Sequence, residues 1–141
     1  MKHQVAINNR TRSRLNLKLL EKVISKFLLS RKLPRAEVSL VLVGDQLMRR
    51  LNRQTRGKDK VTDVLSFRDS DSPVKEPNFL GEIVIDYQQI KRQAKIFQTS
   101  IQEELVFILV HGLLHLVGYD DKTKAEAELM DKLAKKFLAK L

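Results

Sequence analysis

Cysteine is absent from the 141 residues. That excludes a disulfide scaffold, a thiolate metal site, an iron–sulfur cluster and a cysteine nucleophile, and it suits a reducing cytoplasm. Long apolar runs are missing too. The longest, residues 105–110, stops at His111, far short of the roughly 18 residues that a membrane span needs. The opening Met1-Lys2-His3-Gln4 lacks the apolar stretch of a signal peptide. No repeat or low-complexity tract is visible, and proline breaks the chain clearly at one place, residues 68–78, which hold two of the three prolines. The expectation is a cytoplasmic protein without a membrane segment. With 43% hydrophobic and 31% charged residues, it should fold as one domain over residues 1–141.

Acidic charge is scarce in one half of the chain. Residues 1–60 carry 16 basic and 4 acidic residues, whereas residues 61–141 carry 11 and 13, so the net +10 belongs to the first half. A polyphosphate partner suits such a field, and a solvated surface is the alternative. If the early basic residues fold away from the functional site, the second reading holds.

Residues 5–7 predict a first strand. Leu15, Leu19, Val23 and Phe27, joined by Leu20, Ile24 and Leu28, recur at helical spacing, with Ser13 as a cap and Pro34 beyond the end. Glu37–Val43 reads as the second strand. Asp45 is placed to cap a helix through Leu47, Met48 and Leu51 that ends near residues 52–54, and residues 53–60 then form a polar, basic loop or a frayed helix end. Residues 61–67 and 83–85 read as further strands, and Asp86 can cap a helix through Ile90, Ala94 and Phe97. A helix from Thr99 or Ser100 to Gly118 is apolar almost all round and should be buried. The last helix runs from about residue 123 to 141, with Leu129, Leu133, Phe137 and Leu141 in register. Four strands and about five helices predict an α+β domain with a mixed, mostly parallel sheet.

The chemistry concentrates on the buried helix. His111 and His115 stand at i and i+4, one turn apart on one face, where two imidazoles can share a metal. Gly118 can turn the chain back and deliver Asp121 as a third ligand, so His111-x-x-x-His115-x-x-Gly118-x-x-Asp121 has the spacing of the long, zincin-like peptidase motif. The glutamate that activates water in those enzymes is replaced by Gly112, which argues against peptide hydrolysis. Asp120 and Asp121 both remain in reach of the site. Glu104, two turns before His111, is either a partner for a histidine N–H or a carboxylate favoured by the helix start.

The segment His111-Gly112-Leu113-Leu114-His115-Leu116-Val117-Gly118-Tyr119-Asp120 resembles the signature of the bacterial YbeY family, endoribonucleases also called rRNA maturation factors. Arg56-Gly57-Lys58-Asp59 followed by Thr62-Asp63-Val64-Leu65-Ser66-Phe67 is similar to its central block, and Leu80-Gly81-Glu82-Ile83-Val84-Ile85 to its strand block. The resemblance spans most of the chain. It implies a compact α+β fold with a zinc-like site of three histidines, and metal-dependent, single-strand-specific endoribonuclease activity. It also implies a part in small-subunit ribosomal RNA maturation, ribosome quality control and ribosome assembly, with ribosomal RNA, ribosomal proteins and the GTPase Era as partners. On this resemblance His111 and His115 match two metal ligands, and Arg56 matches an arginine the family needs.

The departure is Asp121, where the family has histidine. A carboxylate neutralises the ion better, which makes its bound water less acidic and leaves a harder ion than zinc as the alternative. The leading expectation is therefore one divalent ion, zinc, at His111, His115 and Asp121, with Arg56 clamping the scissile phosphate and Arg53, Lys58 and Lys60 joining it in holding RNA. RNA brings its own nucleophile, the 2′-hydroxyl. The alternatives are a non-enzymatic assembly factor with a structural or decayed metal site, and a metal-dependent hydrolase of another substrate.

Overall fold

Alternation of apolar side chains builds the centre of the molecule. The computed structural model describes residues 4–141, so the opening tripeptide considered above lies outside the described residues. Strands β1 (Gln4–Asn9), β2 (Glu37–Val43), β3 (Val64–Arg68) and β4 (Phe79–Asp86) form one sheet in the order β1-β2-β4-β3. β1 runs parallel to β2 and β2 parallel to β4, while β3 is antiparallel to β4 and takes the outer edge. Val38, Leu40, Leu42, Ile83 and Ile85 face one side; Val43, Leu65 and Val84 face the other. This is the period-two pattern of a sheet covered on both faces.

The first face carries α1 (Leu17–Ser30), α3 (Tyr87–Phe97), α4 (Ile101–Leu116) and α5 (Lys124–Leu138), and the second carries α2 (Asp45–Arg56). The expected mixed sheet and five helices are thus present. α4 is the central helix. Ser100 and Glu103 close a capping box at its start, a feature typically contributing about 1 kcal/mol. Leu105, Val106, Ile108, Leu109, Val110, Leu113, Leu114 and Leu116 are all buried along it. Each such side chain is worth about 1.5–3 kcal/mol, so burial and not the cap holds α4 in place.

Several expected boundaries shift. Asn16, not Ser13, caps α1 by accepting from the Leu19 amide at 3.1 Å. Gly44 precedes α2, and Asp45 is its first helical residue. α2 runs on to Arg56, so residues 53–56 are helix and not loop. β3 begins at Val64 rather than residue 61 and includes Arg68, and a short 3₁₀ turn at Asp69–Asp71 follows where only loop was expected. α4 stops at Leu116, before Gly118. In α5 the buried residues are Met130 and Ala134, while Leu129 and Leu141 stay exposed. The inward face is therefore turned by one position from the leucine register.

Candidate active-site cleft along the sheet edge

A cleft of about 870 Å³ opens beside β3. The end of α2 supplies Asn52 and Arg56 to it, the following loop Lys58 and Lys60, β3 Ser66 and Arg68, the end of α4 His115, and the segment after α4 Asp120 and Asp121. Because β3 is an edge strand with α2 on one face and α4 on the other, both helices reach round the same strand.

Each contributor is held locally. The α2 end is fixed by buried Asn52, whose Nδ2 donates to the Lys60 carbonyl at 2.9 Å and ties the basic loop to the helix. Arg56 Nη2 donates to the Ser66 carbonyl at 2.9 Å, and its guanidinium carbon stands 5.6 Å from the centre of the Phe67 ring. It thereby satisfies a backbone acceptor on the open strand edge and keeps the rest of its donor fork exposed. Arg53 is not in the cleft wall. It sits 3.7 Å from Asp59, which also takes a two-pronged ion pair from Arg49.

Gly118 makes the turn after α4 with φ of 109°, a conformation that side chains resist. The Tyr119 amide then donates to the Leu114 carbonyl at 3.0 Å, and the Tyr119 carbonyl arrives 3.0 Å from His115 Nδ1. His111 Nδ1 lies 2.9 Å from the Phe107 carbonyl. With both Nδ1 atoms against carbonyls, Nε2 is the nitrogen each ring offers a cation. His115 Nε2 is 3.7 Å from Asp121 Oδ2, within the span of two metal–ligand bonds of about 2.0–2.2 Å. Asp120 is engaged elsewhere: Arg68 Nη2 donates to it at 2.9 Å. Of the neighbouring carboxylates, Asp121 is the one facing His115.

His111 does not join them. Its Nε2 lies 2.7 Å from Asp131 Oδ1 on α5, and among the described residues no three His, Asp or Glu side chains converge on one point. The donor types suit a divalent ion, and two of the three expected donors stand together. Glu104 is buried at the base of α4 and accepts from Gln93 Nε2 at 2.8 Å. Burial lifts its carboxyl above the usual range; nearby Asp63 adds to that, and Gln93 and His111 oppose it.

Gly112 explains the missing peptidase glutamate. A Cβ there would meet Ile83 Cγ2 at 2.8 Å, because α4 lies directly on β4 at this point. The position faces the sheet and has no room for an acid. Three residues of the site carried no signal in the sequence reading. They are Asn52 beneath the basic loop, Asp131 against His111, and Arg68, whose Nε donates to the His115 carbonyl and whose Nη2 reaches the Tyr119 carbonyl at 3.2 Å. Arg68 ends an apolar strand and Asp131 lies on a charged helix face, so neither belongs to a motif or a period.

These features define a class: a mixed α+β domain whose buried helix presents histidines beside a basic cleft on a sheet edge. The family model for Endoribonuclease YbeY matches residues 2–141. An Endoribonuclease YbeY of Sulfurihydrogenibium sp. (strain YO3AOP1) is 36% identical over 99% of this chain and 93% of its own length. One of Thermodesulfovibrio yellowstonii is 44% identical over 74% of this chain and 66% of its own. The solution structure of TM1509 from Thermotoga maritima aligns with a TM-score of 0.62 and 28% identity, covering 97% of this chain and 91% of that one. The chain belongs to the endoribonuclease YbeY family.

Proposed function

We propose that the protein is a metal-dependent, single-strand-specific endoribonuclease acting in small-subunit ribosomal RNA maturation and ribosome quality control. One observation carries the reading: Arg56, Lys58 and Lys60 line the same cleft as His115 and Asp121. Cations for the phosphate backbone and donors for a metal thus share one space, and the relatives of this chain bear the name endoribonuclease.

The cleavage uses the substrate's 2′-oxygen, which bonds to the adjacent phosphorus as the bond to the 5′-oxygen breaks. The 2′-proton passes to solvent water, and the departing 5′-oxygen takes one from it. Arg56 offers its exposed N–H groups to the phosphate oxygens on which charge builds. Lys58 and Lys60 hold the flanking phosphates. His115 and Asp121 would hold the ion, zinc or a harder divalent ion, and His111 would join them once released from Asp131. When bound, the ion would supply Lewis acidity to the phosphoryl group. The same reading carries a cytoplasmic setting and, as partners, the small ribosomal subunit, a ribosomal protein and an Era-type GTPase.

The test is metal content and cleavage measured on protein purified without a histidine tag. Cleavage of single-stranded RNA should stop with a chelator and return with added divalent metal. Less than about a tenth of an equivalent of metal after reloading would remove the metal from the account. The pairing of His111 with Asp131 favours one second reading, an assembly factor without catalysis. That reading requires ribosome association that survives His115→Ala, with no cleavage by the wild type.

A further inference from the structure

The other side of α4 carries a second cavity, a groove of about 680 Å³ between the end of α3, α4 and α5. Its balance of charge is the reverse of the cleft's, where Arg56, Lys58, Lys60, Arg68 and Lys122 face four aspartates. Phe97, Val106, Phe107 and Leu138 supply an apolar surface, and among the described residues Glu103, Glu104 and Asp131 on its wall outnumber the single cation Lys135. Phe97 is 61% exposed, so its ring is available to a visitor. His111 stands on α4 between the two cavities and lines neither. It packs edge-on against Phe107 with ring centres 4.4 Å apart and touches Asp131 at 2.7 Å, both groove residues. His115, one helical turn or about 6 Å further along α4, lines the basic cleft.

We infer that this groove is a nucleobase subsite: it receives one unpaired base of the RNA strand whose phosphates occupy the basic cleft. The inference rests on the endoribonuclease reading and deepens it. Charge decides which part of the strand enters. Carboxylates repel the phosphodiester, which the cleft's cations attract, so the anchored phosphates stay in the cleft and a base two or three nucleotides further along the strand enters the groove, whose Phe107 and Glu103 lie about 12 and about 18 Å along α4 from His115. An unstacked base loses its neighbours' faces and regains one on an aromatic ring, the usual way single-stranded RNA is held. Glu103 and Asp131 bring acceptors within the groove wall. They suit the amino groups of adenine, cytosine or guanine, and uracil offers none. A paired base cannot turn out in this way without losing its partner, so the subsite supplies a physical reason for a single-strand preference.

The test uses a labelled single-stranded oligoribonucleotide, made uncleavable by 2′-O-methylation at every position, and a set of copies each lacking one base. Binding is read by fluorescence anisotropy for the wild type, Phe97→Ala and Arg56→Ala, with circular dichroism to establish that each is folded. Removal of the base at one position should weaken wild-type binding roughly tenfold, about what one stacked base contributes. Phe97→Ala should weaken binding of the complete strand by a similar factor and should no longer respond to removal of that base. If Phe97→Ala binds every strand as the wild type does, the subsite is overturned. A protein partner for the groove then gains support, and the endoribonuclease reading stands provided Arg56→Ala still weakens binding. If the wild type binds no RNA, both fail together. Because Phe97 is exposed, its substitution tests binding and not folding.

Discussion

Arg68 shows how much of the site depends on a residue that no motif marks. Its guanidinium reaches the His115 carbonyl, the Tyr119 carbonyl and Asp120, and so joins the end of α4 to the glycine turn that carries Asp121. A cation at a helix C-terminus is favoured by the dipole as well as by these bonds. Arg68→Ala should cost about 2 kcal/mol, the usual loss for a charge-assisted hydrogen bond with partly buried partners, measured by denaturant unfolding. It should also weaken metal binding, because Asp120 is freed and Asp121 is no longer held near His115. The residues legible from sequence were those whose spacing carries geometry. His111 and His115 fall at i and i+4, and Gly118 turns the chain as its position implied. The illegible ones, Arg68 and Asp131, act across elements. Asp131 reaches His111 from 20 residues away on another helix.

Between elements, the junction of β4 with α3 meets the start of α2 in a pair of carboxyl groups. Asp86 is fully buried and caps α3 through one oxygen, which accepts from the Gln88 amide at 3.0 Å, while its other oxygen has no hydrogen-bond partner among the described residues. Burial, with the adjacent Asp45 carboxylate, pushes Asp86 up to about 7. Asp45, held by Arg92 at 2.6 Å, is drawn down to about 2. The signs are opposite. Between its ordinary value of 3.8 and about 7, Asp86 carries a proton in the folded chain that it lacks unfolded, so its contribution to stability is lost as pH rises through that window. Asp45 contributes stability above 3.8 that is lost as pH falls towards 2. Thermal melts of Asp86→Asn should therefore lack the fall between pH 4 and pH 7 that the wild type shows. An identical slope in both would assign that fall to other groups. Elements were legible where burial writes a period, as in α1, or a continuous apolar run, as in α4 and β2. They were less so where it does not. The last turn of α2, Arg53 to Arg56, is polar and gives no apolar repeat. In α5 the core positions are Met130 and Ala134, and alanine is too small to outweigh the leucine at 129 in a sequence pattern.

For the molecule as a whole, the strand order divides the positive charge. Arg10, Arg12 and Arg14 follow β1 at one edge of the sheet, whereas Arg56, Lys58 and Lys60 serve the cleft at the β3 edge. The edges are three strand spacings apart, about 14 Å. The basic first half is thus partly a site and partly a surface remote from it, a division that composition alone had no means of drawing. It can be measured. Binding of single-stranded RNA should weaken with salt with a logarithmic slope of about −2 from the three cations assigned to phosphates, Arg56, Lys58 and Lys60. Lys58→Ala should reduce that slope by about 0.7, and Arg12→Ala should leave it unchanged. The most direct test of the central claim is the rate at which a defined single-stranded RNA is cut by the wild type, Arg56→Ala and His115→Ala, each purified alike. The account predicts clean internal cleavage by the wild type and a loss of about a hundredfold or more in each variant, as expected when a transition-state contact is removed, with the fold retained. Equal rates in all three, or no cleavage by metal-loaded wild type, would contradict it.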